Sequence, residues 1–231
     1  KQIFKYWDRL GISLSSHPAK ANMYLVQSCI EYVSEPDETV LDPMAGTGTV
    51  LVASLIGRKV ICIEIEEYYQ NLISEAIKDI AEVAPGAEEV ITLIPGDCTR
   101  VLPLPVDHII FSPPYANILK KKQIDKFTAD TLGEEMLHYS KDPNNISNLN
   151  EFLYHQKMEV FYKKALQSIR PGGTMTILIK DHIEKGERMF LGERAKRDCV
   201  TLGFEVADHF YWRAPGTAYL GIRRARGEEV V

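Results

Sequence analysis

Residues 39–64 read TVLDPMAGTGTVLVASLIGRKVICIE, and their apolar pattern decides the fold. Thr39-Val40-Leu41 reads as a short apolar strand that closes on Asp42. The loop Pro43-Met44-Ala45-Gly46-Thr47-Gly48-Thr49 follows, and an apolar helix then runs to about Ile56, where Gly57 stops it. Lys59–Ile65 (KVICIEI) is β-branched again and reads as a second strand. Strand, helix and strand in that order imply parallel pairing, because a hairpin needs no helix between its arms.

The same alternation continues in both directions. Upstream, residues 18–33 place Met23, Val26, Ile30 and Val33 at helical spacing. Downstream, a long amphipathic helix runs from about Glu66 to Val83 and ends at Pro85-Gly86, and Val90–Ile94 and His108–Phe111 are two further short strands. Helix resumes over about Leu149–Ile169, with Phe152, Leu153, Phe161, Ala165, Leu166 and Ile169 on one face. Pro171-Gly172-Gly173 breaks it before the strand Thr174–Lys180. A helix near Glu187–Leu202 is followed by Phe204–Trp212 and Ala218–Arg223, two strands about the turn Ala214-Pro215-Gly216. The reading is an α/β fold: a doubly wound, mainly parallel seven-stranded sheet with an antiparallel edge strand. Residues 116–148 carry Lys120-Lys121-Lys122, a polar run at 140–145 and no sustained period, and read as a loop or lid inserted in a single domain over 1–231.

Composition removes several classes. The 231 residues are 45% hydrophobic and 26% charged, an ordinary globular balance that a disordered chain would not show. No apolar run approaches the ~18 residues of a membrane span, and residues 1–20 lack the apolar core of a secretory signal. Cys29, Cys62, Cys98 and Cys199 form no CxxC pair, which fits free thiols in a reducing cytoplasm. The six histidines have no metal-ligand spacing, so zinc is not indicated. A net charge of −5 argues against polyanion binding over the whole surface and leaves room for a local basic groove.

In an open parallel sheet, ligands sit beyond the carboxyl ends of the strands. The glycines of the first loop let backbone approach a ligand closely. Glu64, about 20 residues further on, can accept hydrogen bonds from ribose hydroxyls, with Ile65 beside it. Leu51 stands where a dinucleotide fingerprint would require a third glycine, and a plain tight turn also accounts for the GxG. The fourth strand ends in Phe111-Ser112-Pro113-Pro114-Tyr115. Two prolines hold the backbone extended and remove two N–H donors, leaving the Ser112 side chain and the Pro113 carbonyl as acceptors beside Tyr115. A planar base stacked on Tyr115 could direct its exocyclic amine into those acceptors.

DPMAGTGT followed by SPPY resembles the amino-methyltransferases that use S-adenosylmethionine to methylate cytosine N4 or adenine N6 in nucleic acid. The resemblance extends over nearly the whole chain and implies a Rossmann-like class I methyltransferase fold. It implies cofactor contacts from His17-Pro18-Ala19-Lys20, from Asp42, Pro43, Met44, Ala45, Gly46, Thr47, Gly48 and Thr49, and from Glu64 and Ile65. Gly96-Asp97-Cys98 matches the position that meets the cofactor adenine, and Cys98 itself reads as packing. Catalysis falls to Ser112, Pro113, Pro114 and Tyr115. Serine at the first position of that tetrapeptide is associated with cytosine N4 rather than adenine N6. Direct displacement by the amine nitrogen is expected, with no cysteine intermediate and with placement contributing most.

The polymer is open between DNA, favoured on family numbers, and structured RNA such as ribosomal RNA, since the chain has no room for a separate target-recognition domain. Lys120, Lys121, Lys122, Lys185 and Arg188 are the favoured phosphate contacts, with Lys126, Arg223, Arg224 and Arg226 as further bases. An accessory specificity subunit or a homodimer is a natural partner. A catalytically inactive cofactor-binding subunit and a small-molecule methyltransferase are the competing readings. Intact SPPY speaks against both.

Overall fold

The structure is a computed structural model that describes residues 21–114, 142–184 and 187–212; the side chains of 182–184 and 187 are not described. Helix α1 (Met23–Val33) is capped by Asn22, whose side chain accepts from Leu25 N. Next come β1 (Thr39–Asp42), a single 3-10 turn (Thr49–Leu51) and a one-turn α2 (Val52–Leu55). Then follow β2 (Lys59–Glu64), α3 (Glu67–Val83), β3 (Ile91–Pro95), α4 (Cys98–Val101) and β4 (Val106–Phe111). After a 3-10 turn at Ile146–Asn148 come α5 (Glu151–Ser168), β5 (Ile169–Ile177), a short ribbon β6 (His182–Glu184) and β7 (Glu187–Met189), and α6 (Leu191–Thr201).

The strand order is β3-β2-β1-β4-β5, and every pairing in this sheet is parallel. β1 is therefore the centre, and the chain reverses direction of travel across the sheet between β1 and β4. Successive side chains of β4 alternate between two cores. Ile110 packs with Val40, Val26, Ile30 and the α3 stripe Ile73, Ala76 and Ile80. Ile109 and Phe111 pack with Leu41, Ile63, Met158, Phe161 and Cys199 on the other face. Phe111 and Phe161 meet edge to face at 5.0 Å, each ring burying roughly 1.5–3 kcal/mol of apolar transfer energy. Helices on both faces of a parallel sheet make the fold α/β and doubly wound, as the alternation implied.

Several boundaries differ from the sequence reading. The described residues hold five strands of the expected seven in one sheet. The expected antiparallel edge is absent among the described residues: Phe204–Trp212 has no ladder partner and exposes Phe210, Tyr211 and Trp212, while 218–223 lies outside the described residues. The antiparallel pairing that is present belongs to the separate β6–β7 ribbon. That ribbon occupies the start of the stretch expected to be helix from Glu187.

Helix α5 buries Tyr154, Met158, Phe161, Tyr162, Ala165 and Ser168, and leaves Phe152 70% and Leu153 43% exposed. Its buried stripe is thus rotated from the expected one: Phe161 and Ala165 stay buried, Tyr154, Met158 and Tyr162 join them, and Phe152 and Leu153 turn outward. β5 starts at Ile169 and runs through Pro171-Gly172-Gly173. A side chain at Gly173 would run into the Asp107 carbonyl, so the pair closes only on glycine, next to a register shift between Val106 and His108.

Of the expected insertion at 116–148, only 142–148 is described. Asn145, Ile146 and Ser147 are buried there, so the end of that segment is part of the packed domain.

Candidate functional site

A cleft opens at the carboxyl ends of β1, β2, β3 and β4. Its wall carries Pro43, Met44 and Gly46 from the loop after β1, Glu64 and Ile65 from the end of β2, Gly96-Asp97-Cys98 after β3, and Ser112 and Pro114 after β4. Motifs that are scattered along the chain thus face one space.

The glycine loop turns through two left-handed residues, Gly46 (φ 52°) and Gly48 (φ 78°). They serve different ends. A Cβ on Gly48 would come within 3.0 Å of Ile73 Cγ1, so this glycine lets the loop pack on α3. A Cβ on Gly46 would meet nothing within 4 Å, which leaves its backbone bare toward the cleft. The loop is held by Ala45 N donating to Ile63 O at 3.1 Å and Gly48 N donating to Ala45 O at 2.8 Å. Asp42, Ala45, Thr47, Gly48 and Thr49 do not line the cleft; Asp42 and Thr47 are buried beneath the loop.

Glu64 is buried at the floor. Its Oε2 accepts from Gly46 N at 2.7 Å and its Oε1 from Glu66 N at 2.9 Å. Burial pushes its carboxyl up to about 7 against the pull of those N–H groups. Burial likewise raises Asp42 to about 7, although Met44 N donates to it at 3.0 Å, and the nearby Glu64 charge adds to the rise. Asp97 is the opposite case. Burial alone would raise it, but the Lys157 ammonium at 2.9 Å and the donors of Thr99 outweigh burial and hold it below the usual carboxylate range. Cys98 is buried with its thiol pushed up by burial, as expected of a packing cysteine.

Six wall residues were not foreseen: Ile63, Glu66, Tyr69, Asn144, Asn145 and Ile146. Asn145 Nδ2 donates to Glu66 Oε1 at 2.8 Å, which joins the segment before α5 to the end of β2. The available signal was the asparagine-rich run at 144–150, since Asn145 and Asn150 cap the turns that follow them.

Pro113 is buried behind the cleft wall, between Ser112 and Pro114. Arg188 is exposed and pairs with Asp181 at 3.0 Å, away from the wall. His17, Pro18, Ala19, Lys20, Tyr115, Lys120, Lys121, Lys122 and Lys185 lie outside the described residues. No group of three or more metal-ligating side chains occurs among the described residues, and no described helix is long and apolar enough to cross a membrane.

Comparison with known proteins gives a family match over the first third of the chain and a shared fold over most of it. Residues 2–75 match the family model described as DNA methylase, of the N6 and N4 methyltransferases. TrmN from Thermus thermophilus is similar in fold, with a TM-score of 0.51 at 20% identity; the match covers 78% of this chain and 42% of that one. This chain thus spans under half the length of that relative. The glycopeptide N-methyltransferase MtfA, crystallised with S-adenosyl-L-homocysteine, matches with a TM-score of 0.52 at 12% identity over 84% of this chain and 83% of that one. A precorrin 8W decarboxylase from Methanobacterium thermoautotrophicum matches with a TM-score of 0.51 at 13% identity, over 83% of this chain and 77% of that one.

Proposed function

We propose that the chain is an S-adenosylmethionine-dependent methyltransferase that methylates an exocyclic amino nitrogen of a base in DNA, cytosine N4 ahead of adenine N6; the family-model match over residues 2–75 supports this reading. One observation carries the reading: Ser112 and Pro114, at the end of β4, line the same cleft as the glycine loop and Glu64. An amine acceptor site and a nucleoside site then share one wall. The match of residues 2–75 to the DNA methylase model supports DNA as the polymer.

The residues present fit the cofactor. Gly46 offers bare backbone to the cleft, Glu64 lies at its floor, and Gly96-Asp97-Cys98 forms the adjoining wall. When bound, S-adenosylmethionine supplies a methyl group on a sulfonium sulfur, which departs as a neutral thioether when an amine nitrogen takes the methyl carbon.

The protein's own task is to make that amine nucleophilic. The lone pair of a base NH₂ is delocalised into its ring. Ser112 Oγ and the Pro113 carbonyl accept the two N–H bonds and draw the nitrogen toward a tetrahedral geometry, which frees the lone pair. Tyr115 stacks on the base and fixes its plane. Placement then contributes most of the acceleration, and the surplus proton leaves the nitrogen for solvent. Lys120, Lys121, Lys122 and Lys185 supply phosphate contacts, and a second copy or an accessory subunit supplies sequence choice.

Tritiated-methyl transfer, offered duplex DNA, single-stranded DNA and ribosomal RNA in parallel, tests the reading. Digestion to nucleosides and mass identification of the product should return N4-methylcytosine from DNA. Label in RNA alone moves the activity to a structured RNA, and label in neither refutes it.

A further inference from the structure

Glu64 is the expected acceptor for the cofactor ribose, yet each of its oxygens already accepts a backbone N–H, from Gly46 and from Glu66. Two residues along, Glu66 lines the same cleft, and its Oε1 is held by Asn145 Nδ2. Among the described residues its other oxygen, Oε2, carries no hydrogen bond. Asn145 is only 7% exposed, and its own carboxamide oxygen is committed to Ser147 N at 3.0 Å and Ser147 Oγ at 2.8 Å. The amide is therefore fixed in rotation, and its N–H can point only one way.

We infer that Asn145 is a positioning residue for cofactor binding: it clasps Glu66 across the cleft mouth, so that the free Glu66 oxygen accepts a hydrogen bond from a cofactor hydroxyl. This rests on the cleft being the cofactor site, and it adds a second acceptor beside Glu64. Two residues 79 positions apart thus form one binding element. The clasp also ties the segment before α5 to the end of β2.

Isothermal titration of S-adenosyl-L-homocysteine into the full chain tests the clasp without any methyl acceptor. Asn145→Asp keeps the cap on Ser147 but replaces the donor with a second carboxylate, and Glu66→Gln removes the charge. Each should weaken binding about tenfold, the scale of one lost charge-assisted hydrogen bond. The melting temperature of the ligand-free protein should stay near wild type. The double variant Glu66→Gln/Asn145→Asp restores the bond with donor and acceptor exchanged, and should bind more tightly than Asn145→Asp alone. Unchanged affinity in either single variant, or additive losses in the double, overturns the clasp. A wild-type chain that binds no S-adenosyl-L-homocysteine overturns the cofactor reading as well, so the two failures are distinguishable.

Discussion

Glu64 Oε2 accepts the backbone N–H of Gly46 at 2.7 Å, so the carboxylate that closes β2 also shapes the loop that closes β1. The two central strands thus end in a single hydrogen-bonded unit, whose carboxyl is buried with Asp42 nearby.

That burial sets a pH dependence. Asp42 and Glu64 both fold at about 7, above the ordinary carboxylate value, so the folded chain binds protons that the unfolded chain has released. Their contribution to stability is full below the ordinary carboxylate value and is lost as pH rises through about 7. His155, whose charged form burial disfavours, acts in the other direction, so the readout is a difference between variants. Asp42→Asn keeps an oxygen for Met44 N and removes the titration. Thermal melts at pH 5.5 and pH 8 should show the variant gaining on wild type as pH rises. A constant difference would refute the assignment.

Ser112→Ala removes one of the two amine acceptors and leaves the glycine loop and Glu64 in place. Methyl transfer should fall by at least roughly 100-fold while S-adenosyl-L-homocysteine affinity stays within about twofold. Tyr115→Ala should behave the same way. Loss of ligand binding in both variants would place these residues in the cofactor site instead.

Lys157 stands 2.9 Å from Asp97, with 27% of its side chain exposed against 7% for the aspartate. Lys157→Met strands the more buried partner. The cost at neutral pH should be about 1–3 kcal/mol, less than for a fully buried pair because water reaches the ammonium. Asp97 is held below the ordinary carboxylate range, so the pair's contribution is present above that range and is lost as pH falls through the folded value. Denaturant melts should therefore show the variant's deficit shrinking in acid.

Gly173→Ala forces a methyl group onto the Asp107 carbonyl and within 2.7 Å of Ile169 Cγ2. Backbone cannot step aside cheaply in a paired strand. A loss of about 3 kcal/mol is expected, lowering Tm by roughly 6–12 °C. Gly172→Ala, where a Cβ meets open space but φ is 87°, should cost only about 1 kcal/mol from the left-handed backbone. Equal losses at the two positions would show that strain, not contact, governs this turn.

The central strands were legible because both their faces are buried, which writes a continuous β-branched run such as Val60–Ile63 into the chain. The cleft was legible where a residue type has a narrow use, as at Gly46 and Ser112. Glu66 and Asn145 were not, because a glutamate opening a helix and an asparagine in a polar run are ordinary at the surface. Their pairing across the cleft depends on topology alone. The α5 stripe was only partly legible because Tyr162 is amphipathic: the pattern leaves it off the apolar face, while its ring packs inward. The edge beyond β5 needed a ladder partner for Phe204–Trp212, and no local signal reports whether one is supplied.

The placement of β1 at the middle of the sheet has a consequence for how the molecule becomes competent. β2 follows β1 through a helical crossover, β4 reaches the other side of β1 only after β3, and four strand ends contribute to one wall. No single βαβ unit contains the pocket, so a truncated or half-assembled chain lacks the cleft proposed to hold the cofactor. Ligand occupancy is therefore a census of completely folded molecules. At S-adenosyl-L-homocysteine concentrations about 100-fold above Kd, mass action should add about 2.7 kcal/mol to the stability of the whole domain, spread over every element that must be intact for the wall to exist.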